Sequence, residues 1–445
     1  MNRRRFFHCA GSVAALAAAA GCIGSDGLGG DPDDADDETD DGIDDDRQVT
    51  PDLPEIEDPP DAVYVPTHRE AMRMLEPIEA GEYTLAPMLS YPHPFWLVDG
   101  RETERVDPDG GPAVHLMFSL WDDETGIVLP VDAGAQIRVE QNGQQVGSPR
   151  TPWPMISQEM GFHFGDNVPL DGDGTYTVEV TLPPIGVRKT GALEDRFTET
   201  ETATFEFTYD EDFRQEVIGG IDYLDEEHWG ERGAIEPMEH GHGAHGDDEH
   251  GDHHGDGDDD HGDHDDHHGD GDDDHGDHDD HHGDGDDDHG DHDDHSDHGH
   301  VPYSSLPPAE DYSGTLLGEP ETGDATLVIS LLEGDTRLTD GTEPYLLVSP
   351  RTPYNRVPLA DMALSATIDR DGEELATFDL EQTLDDEYDL HYGAETGLDD
   401  AELEPGDTVT ITVESPPQVS RHRGYETAFL EMPAVEVEIP EEVSE

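Results

Sequence analysis

Residues 175–182 read TYTVEVTL and residues 202–209 read TATFEFTY. Apolar and polar residues alternate in both runs, which is the period of a strand with one buried face. Turn-forming residues separate such runs, for example Asn142-Gly143 and the DGDG of residues 171–174. Short strands divided by turns predict an all-β fold and favour an immunoglobulin-like β-sandwich.

The first globular segment covers residues 59–215 and contains five expected strands. They are Tyr83–Tyr91, Ala113–Trp121, Gln136–Gln141, Thr175–Leu182 and Thr202–Tyr209. Helical periodicity is weak, and the short stretch His68–Leu75 (HREAMRML) is the only good helix candidate.

A second strand-rich segment covers residues 301–440. Its expected strands are Asp324–Leu331, Pro344–Ser349, Ala363–Arg370, Glu374–Leu380, Asp407–Glu414 and Ala434–Ile439. Three stretches of the first segment recur here in the same order: 128–143 with 356–372, GFHFG (161–165) with DLHYG (389–393), and 172–184 with 404–417. The shared order predicts that the two sandwiches are copies of one duplicated domain.

The linker between them, residues 216–300, contains the unit HHGDGDDDHGDHDD three times, at 253–266, 267–280 and 281–294. Between Gly241 and His300 the only apolar side chain is Ala244. Such a stretch cannot offset the backbone entropy of folding, so we expect the His/Asp-rich part of the linker to be disordered. Imidazole and carboxylate are ligands for divalent transition metals. The candidate metal ligands of the repeats are His253, His254, His261, His264, His267, His268, His275, His278, His281, His282, His289 and His292.

Many overlapping weak sites in such a chain predict a collector that raises the local metal concentration and releases the ion readily. Binding requires neutral imidazole, so capacity should fall in acid. The alternative is a hydrated spacer without a metal role. Asp and Glu alone would serve that purpose, as they do in the acidic run near the N-terminus.

The N-terminus carries a targeting pattern, and residues 1–21 are predicted to be a twin-arginine lipoprotein signal. Arg3 and Arg4 precede an apolar run that ends in Ala-Ala-Gly before Cys22, the expected lipidation site. Residues 22–58 are then an acidic disordered tether, and residues 441–445 a short tail. These features predict a protein held by its lipid at the extracellular face of the cytoplasmic membrane.

The formal net charge of −91 excludes the basic surface that nucleic acid binding requires. Lys189 is the only lysine. Molar salt would screen the self-repulsion of such a chain, so the composition predicts a halophilic archaeal source.

Two patches of the first segment could bind metal. In the first, Met155 and His163 stand on either side of a turn, and thioether and imidazole together suit copper. The alternative is that Met155 and Met160 only fill gaps in the core. In the second, prolines flank His93, which is interpreted as part of a rigid aromatic loop. In the second segment the corresponding candidates are His391 and His422, the latter with a solvated loop as its alternative.

At these residues the chain resembles the exported, copper-binding iron-transport proteins of the periplasmic high-affinity iron-uptake family. That family has a methionine, an H-Y-G-type histidine seven or eight residues on, a strand ending in Pro-Pro, and a further histidine just beyond. Met155 and His163 match in the first segment, and His391 and His422 match in the second. The resemblance implies immunoglobulin-like sandwiches, a bound metal and a partner permease.

The chain also departs from the family pattern. The family's early-strand His-x-Glu is absent from residues 83–89 and 325–331, and Arg188 and Lys189 follow the first Pro-Pro pair in place of a histidine. No methionine precedes His391. The ligand set could therefore be degenerate, could use His93 or His115, or could be shared between the copies.

The sequence predicts a lipid-anchored, cell-surface protein that binds a divalent transition metal (copper, iron or zinc) and hands it to a membrane transporter. The rival class is a structural or adhesive surface lipoprotein whose linker is only a solvated spacer. No nucleophile–base pair or phosphate loop is evident, so an enzyme is not expected.

Overall fold

The alternating runs at 175–182 and 202–209 form neighbouring antiparallel strands, and the apolar side of each run is buried. The computed structural model describes residues 51, 53–238, 301–334, 336–339, 341–398 and 403–441. Within these ranges the fold is all-β with two β-sandwiches and one α-helix, which confirms the predicted fold class.

The strands of the first half are β1 (His68–Arg69), β2 (Met72–Met74), β3 (Ile78–Ala80), β4 (Tyr83–Ser90), β5 (Phe95–Asp99), β6 (Glu102–Val106), β7 (Ala113–Asp122), β8 (Gln136–Gln141), β9 (Gln144–Arg150), β10 (Trp153–Ser157), β11 (Gly161–Pro169), β12 (Gly174–Leu182), β13 (Arg188–Lys189), β14 (Glu201–Tyr209) and β15 (Asp222–Tyr223). The α-helix, α1 (Glu211–Gly219), follows β14, and the Asp210 side chain caps it by accepting a hydrogen bond from the Phe213 N–H.

The strands of the second half are β16 (Thr315–Gly318), β17 (Glu321–Thr322), β18 (Ala325–Leu332), β19 (Tyr345–Arg351), β20 (Ala363–Arg370), β21 (Glu373–Asp385), β22 (Asp389–Glu395), β23 (Thr408–Ser415), β24 (Ser420–Arg421) and β25 (Val435–Glu438). Three short 3-10 helices lie at Gly191–Leu193, Glu226–His228 and Ala309–Asp311.

The two sandwiches share one strand order. In the first, the order β4-β7-β11-β10 in one layer faces β14-β12-β8-β9 in the other. In the second, β18-β19-β22-β21 faces β25-β23-β20-β21, because the long strand β21 runs through both layers. Pro152 interrupts the first half at the equivalent point, between β9 and β10. The repeated stretches noted in the sequence therefore occupy corresponding strands, as a duplication predicts.

Each half also gives a short strand to the other half. After Pro416-Pro417, β24 inserts between β10 and β5 in the nine-stranded sheet of the first half. After Pro183-Pro184, β13 pairs in parallel with β21 of the second half. The pairing Met155↔Ser420 corresponds to Thr383↔Arg188, so the exchange is reciprocal. Residues of each half thereby join a sheet of the other half.

The helix predicted over His68–Leu75 is wrong. These residues form β1, which pairs with β15, and β2, which pairs with β4. Pro77 follows closely and limits any helix here. Met72 and Met74 lie two apart, so both face the same side of the sheet.

Several predictions concern residues outside the described ranges. These are the signal at 1–21 with Arg3, Arg4 and Cys22, most of the tether, the repeat histidines and most of the tail. Among the described residues, no helix is both long and apolar enough to cross a membrane.

Candidate metal site between the two halves

Met155 and His163 face each other across neighbouring strands. They are direct partners in the antiparallel pairing of β10 with β11, and both are fully buried. The His163 Nδ1–H donates to the Gly161 carbonyl at 3.2 Å. That hydrogen bond leaves the Nε2 lone pair of His163 free to act as a ligand.

His422 reaches the same place from the second half. Its backbone N–H donates to the Ile156 carbonyl at 3.1 Å, which continues the pairing of β24 with β10. Its Nε2 lies 3.1 Å from Nε2 of His163. The side chain is buried, so it is not a solvated loop residue. His422, predicted to act together with His391, instead lies against His163.

His93 and His115 complete a cluster of four imidazoles. Their ring centroids are 4.1 Å apart, and those of His93 and His422 are 5.0 Å apart. Asn167 fixes both: its Nδ2 donates to the His93 carbonyl at 2.9 Å, and its Oδ1 accepts from His115 Nδ1 at 3.0 Å. The His115 Nε2 is buried without a hydrogen-bond partner. A buried imidazole nitrogen in this state is suited to bind a metal ion.

Glu70 supplies the carboxylate of the cluster. One of its oxygens lies 3.1 Å from His93 Nε2, and the other lies 3.8 Å from His422 Nδ1. One ligand atom from each of Glu70, His93 and His422 falls within 4.8 Å of the other two, so the three could hold one metal ion. His422 therefore stands between this group and His163, with one ring nitrogen facing each.

The protonation states suit a metal site. Burial, together with the neighbouring histidines, holds the pKa values of His115 and His163 well below their usual range, and burial lowers the pKa of His422. Burial would raise the pKa of Glu70, but His93 and His422 outweigh it and lower that pKa. Neutral imidazoles beside an ionised carboxylate are the forms that bind transition metals.

The distance between Nε2 of His163 and Nε2 of His422 also fits an ion that these two nitrogens share. Nitrogens bind zinc and similar metals at about 2.0–2.1 Å, so two nitrogens 3.1 Å apart subtend roughly 100° at a common ion. That angle lies between the square-planar and tetrahedral values. Imidazole, thioether and carboxylate together suit copper, with iron and zinc compatible with the nitrogen and oxygen donors.

Three comparisons with known proteins cover only part of the chain. A family described as a domain of unknown function (DUF7350) matches residues 310–438. Two solved structures of FetP from uropathogenic Escherichia coli are 20% identical to this chain: a copper-bound variant, with a TM-score of 0.23, and the as-isolated protein, with 0.22. Each covers 31% of this chain, and 97% and 95% of the FetP chains are covered. No curated protein matches the chain.

His391 occupies the corresponding place in the second half, but its neighbours differ. The strand pairings put Thr383 where the first half has Met155, and Tyr345 where it has His115. The Tyr345 hydroxyl lies 3.3 Å from His391 Nε2, and Arg188 Nη1 donates to that hydroxyl at 3.2 Å. An arginine from the exchanged strand thus stands beside the histidine. Its positive charge disfavours a metal ion there.

Sequence reasoning missed Glu70 and named His93 and His115 only as alternative ligands. The His-x-Glu spacing sought on β4 and β18 occurs instead at His68-Arg69-Glu70, inside the stretch taken for a helix. His68 is not free to bind metal, because Thr67 Oγ1 and Tyr91 OH lie 2.8 and 3.2 Å from its two ring nitrogens. The spacing itself was the signal that could have found Glu70.

Gly165 provides the space beside the ligands. A side-chain carbon on Gly165 would lie 3.0 Å from Met155 Sδ and 3.1 Å from His115 Nε2. We expect Gly165→Ala to fold, because the backbone is not in the left-handed region, but to weaken metal binding by about 10-fold or more through displaced ligands. Chelator competition measures the affinity. An unchanged affinity would show that these two atoms are not ligands.

Acid should destabilise the metal-free protein through its buried histidines. Burial lowers the pKa of His391 to about 4, so the unfolded state binds its proton first as the pH falls below 6.5. Its contribution to stability is complete above pH 6.5 and is lost between 6.5 and about 4, at about 1.4 kcal/mol per pH unit. Glu159 and Asp389 act oppositely, since burial raises their pKa values to about 8 and about 7.

The measurement is therefore the difference between wild type and His391→Gln in denaturant unfolding across that pH range. The variant should show the shallower loss of stability. His228→Gln serves as the control, because His228 is exposed. Equal slopes for wild type and His391→Gln would contradict the prediction.

Proposed function

We propose that this protein binds a divalent transition metal between its two halves and hands it over, without covalent chemistry, in metal acquisition at the cell surface. The observation that supports this most is the convergence of His93, His115, His163 and His422 with Glu70 in one buried cluster. This cluster is difficult to explain by packing alone, because the buried Nε2 of His115 has no hydrogen-bond partner and such a polar atom is costly to bury.

The repeat tract supports a collecting role beside this site. Its described N-terminal flank is held near the cluster: the Met238 N–H donates to the Glu159 carbonyl at 3.0 Å, and the Glu159 carboxylate accepts from the Glu70 N–H at 2.9 Å. A small pocket lined by Glu70, Glu159 and His422 lies at the same place. Weak, exchangeable binding by the tract would supply ions to the buried site.

The lipid anchor, the extracellular location and a permease as acceptor are part of this proposal and rest on the sequence. Copper, iron and zinc are the candidate ions. Iron would be the expected cargo if the chain works beside an iron permease, and copper fits best with Met155 as a ligand.

Calorimetric titration of the mature chain with copper(II), zinc(II) and iron(II) in molar salt tests the proposal. We expect one tight site and many weak ones. A variant with all repeat histidines changed to asparagine keeps the acidic charge and should keep only the tight site. If wild type binds no more metal than an equally acidic, histidine-free protein, the proposal is wrong and a structural role for this surface protein is favoured.

A further inference from the structure

Five methionines form a cluster of their own beside the histidines. Met88, Met117 and Met160 are buried in contact with one another, and the half-buried Met72 and Met74 pack against them. No other type of apolar side chain belongs to this cluster. The concentration of thioethers at one place calls for a chemical explanation.

The strand register places these residues in a row. Met74 pairs with Met88 across β2 and β4, Met88 pairs with Met117 across β4 and β7, and Met117 pairs with Gly165 on β11. At Gly165 the row reaches the histidine cluster, because the Met117 side chain lies 3.3 Å from the position of a carbon built on that glycine. The methionine row therefore adjoins the proposed divalent site on the same sheet face.

The second half offers an internal comparison. Following the same register from Gly393, the residues that correspond to Met117, Met88 and Met74 are Leu347, Ser330 and Leu316. Leucine and serine thus satisfy packing at these positions. At these three positions methionine occurs only in the half that carries the histidine cluster, so filling space does not account for it.

We infer that Met72, Met74, Met88, Met117 and Met160 form a second site, which binds a soft monovalent cation such as copper(I). Thioether sulfur is a soft ligand that prefers copper(I). All five donors are uncharged, and Met88, Met117 and Met160 are buried, so the thioethers supply no counter-charge for a divalent ion, which would be far more costly to desolvate than a monovalent one. The inference does not depend on the divalent site, because the two sets share no ligand.

Silver(I) is a redox-inert probe for such a site. The mature chain, labelled with carbon-13 in its methionine methyl groups, would be titrated with silver nitrate in molar potassium nitrate, since chloride precipitates silver. We expect the five cluster methyls to shift together and saturate at about one equivalent. Met362 and Met432, in the second half, should not move. Because the labelled methyl signals come only from methionines, silver that binds to imidazoles of the tract does not contribute to this readout.

Variants decide between specific binding and a general response of methionines. Met88→Leu/Met117→Leu conserves volume and should fold. It should abolish the silver-induced shifts of the remaining three cluster methyls, whereas Met362→Leu should leave all five unchanged. Met160→Leu alone, as a milder change, should weaken the same shifts. No shift in the wild-type cluster, equal shifts at Met432, or unaltered shifts in the double variant would overturn the inference. His422→Ala should keep the silver response even if it loses copper(II), which separates this site from the proposed function.

Discussion

Replacing His422 with alanine is expected to remove the tightly bound divalent ion from the folded protein. His422 stands between His163 and the Glu70–His93 pair. Its Nε2 faces His163, and its Nδ1 faces Glu70. Its loss takes away the only described ligand that the second half contributes to the cluster. We expect the affinity to fall by more than about 100-fold, since even changes to outer-shell partners cost about 10–100-fold.

His391→Ala is the matched control for this variant. His391 is equally buried, holds the equivalent position to His163 and has Tyr345 and Arg188 as neighbours. It should leave the affinity for copper(II) or zinc(II) unchanged. Competition with a chelator strong enough to strip the tract isolates the tight site. Equal losses in His391→Ala and His422→Ala would indicate a general effect on folding and contradict the assignment.

Separately expressed halves are expected to bind the ion only after they associate. Residues 51–238 contain Glu70, His93, His115 and His163 but lack β24 and His422. Residues 301–445 supply both. When one half is expressed alone, the sheet position that the other half's exchanged strand fills is empty. We therefore expect the two fragments to co-purify when they are co-expressed in molar salt.

Contacts between the halves favour this association. The buried Gln158 Nε2 donates to the Gly424 carbonyl at 3.4 Å, and the Phe162 N–H donates to Ser304 Oγ at 2.7 Å. The measurement is metal content after size-exclusion chromatography. A pair assembled with His422→Ala in the second fragment should form but stay empty. Tight binding by the first fragment alone would contradict the shared site.

Strand positions followed from local pattern. Runs such as TYTVEVTL keep a strict alternation because one side packs in the sandwich and the other meets water, so their bounds could be predicted to within one residue. Strand β10, WPMIS, gave no such signal, since the opposite layer, β11 and β24 surround it. The stretch HREAMRML failed because short edge strands take their conformation from pairing with β15 and β4, which lies outside any local window.

Individual candidate ligands could be predicted from the sequence better than which of them lie together in the structure. Met155 with His163 is a local pair across one turn, and the structure keeps them as strand partners. The place of His422 depends on pairing between residues more than 250 positions apart, which no spacing rule encodes. The notion of a site shared between the copies was one of the alternatives, and His93 and His115 were named with it. The register of β24 against β10 determines that His422 is the histidine of the second half that joins the cluster.

Arg188 places a covalently fixed positive charge beside His391 in the second half. Its guanidinium, held by the Tyr345 hydroxyl and by the Leu338 carbonyl at 2.5 Å, stands beside a histidine as a metal ion would in the first half. The second half should therefore keep one shape whether metal is abundant or scarce. Under the proposed function, the first half must stay folded without its ion, and the second half, where Arg188 supplies the positive charge, provides a folded partner for it.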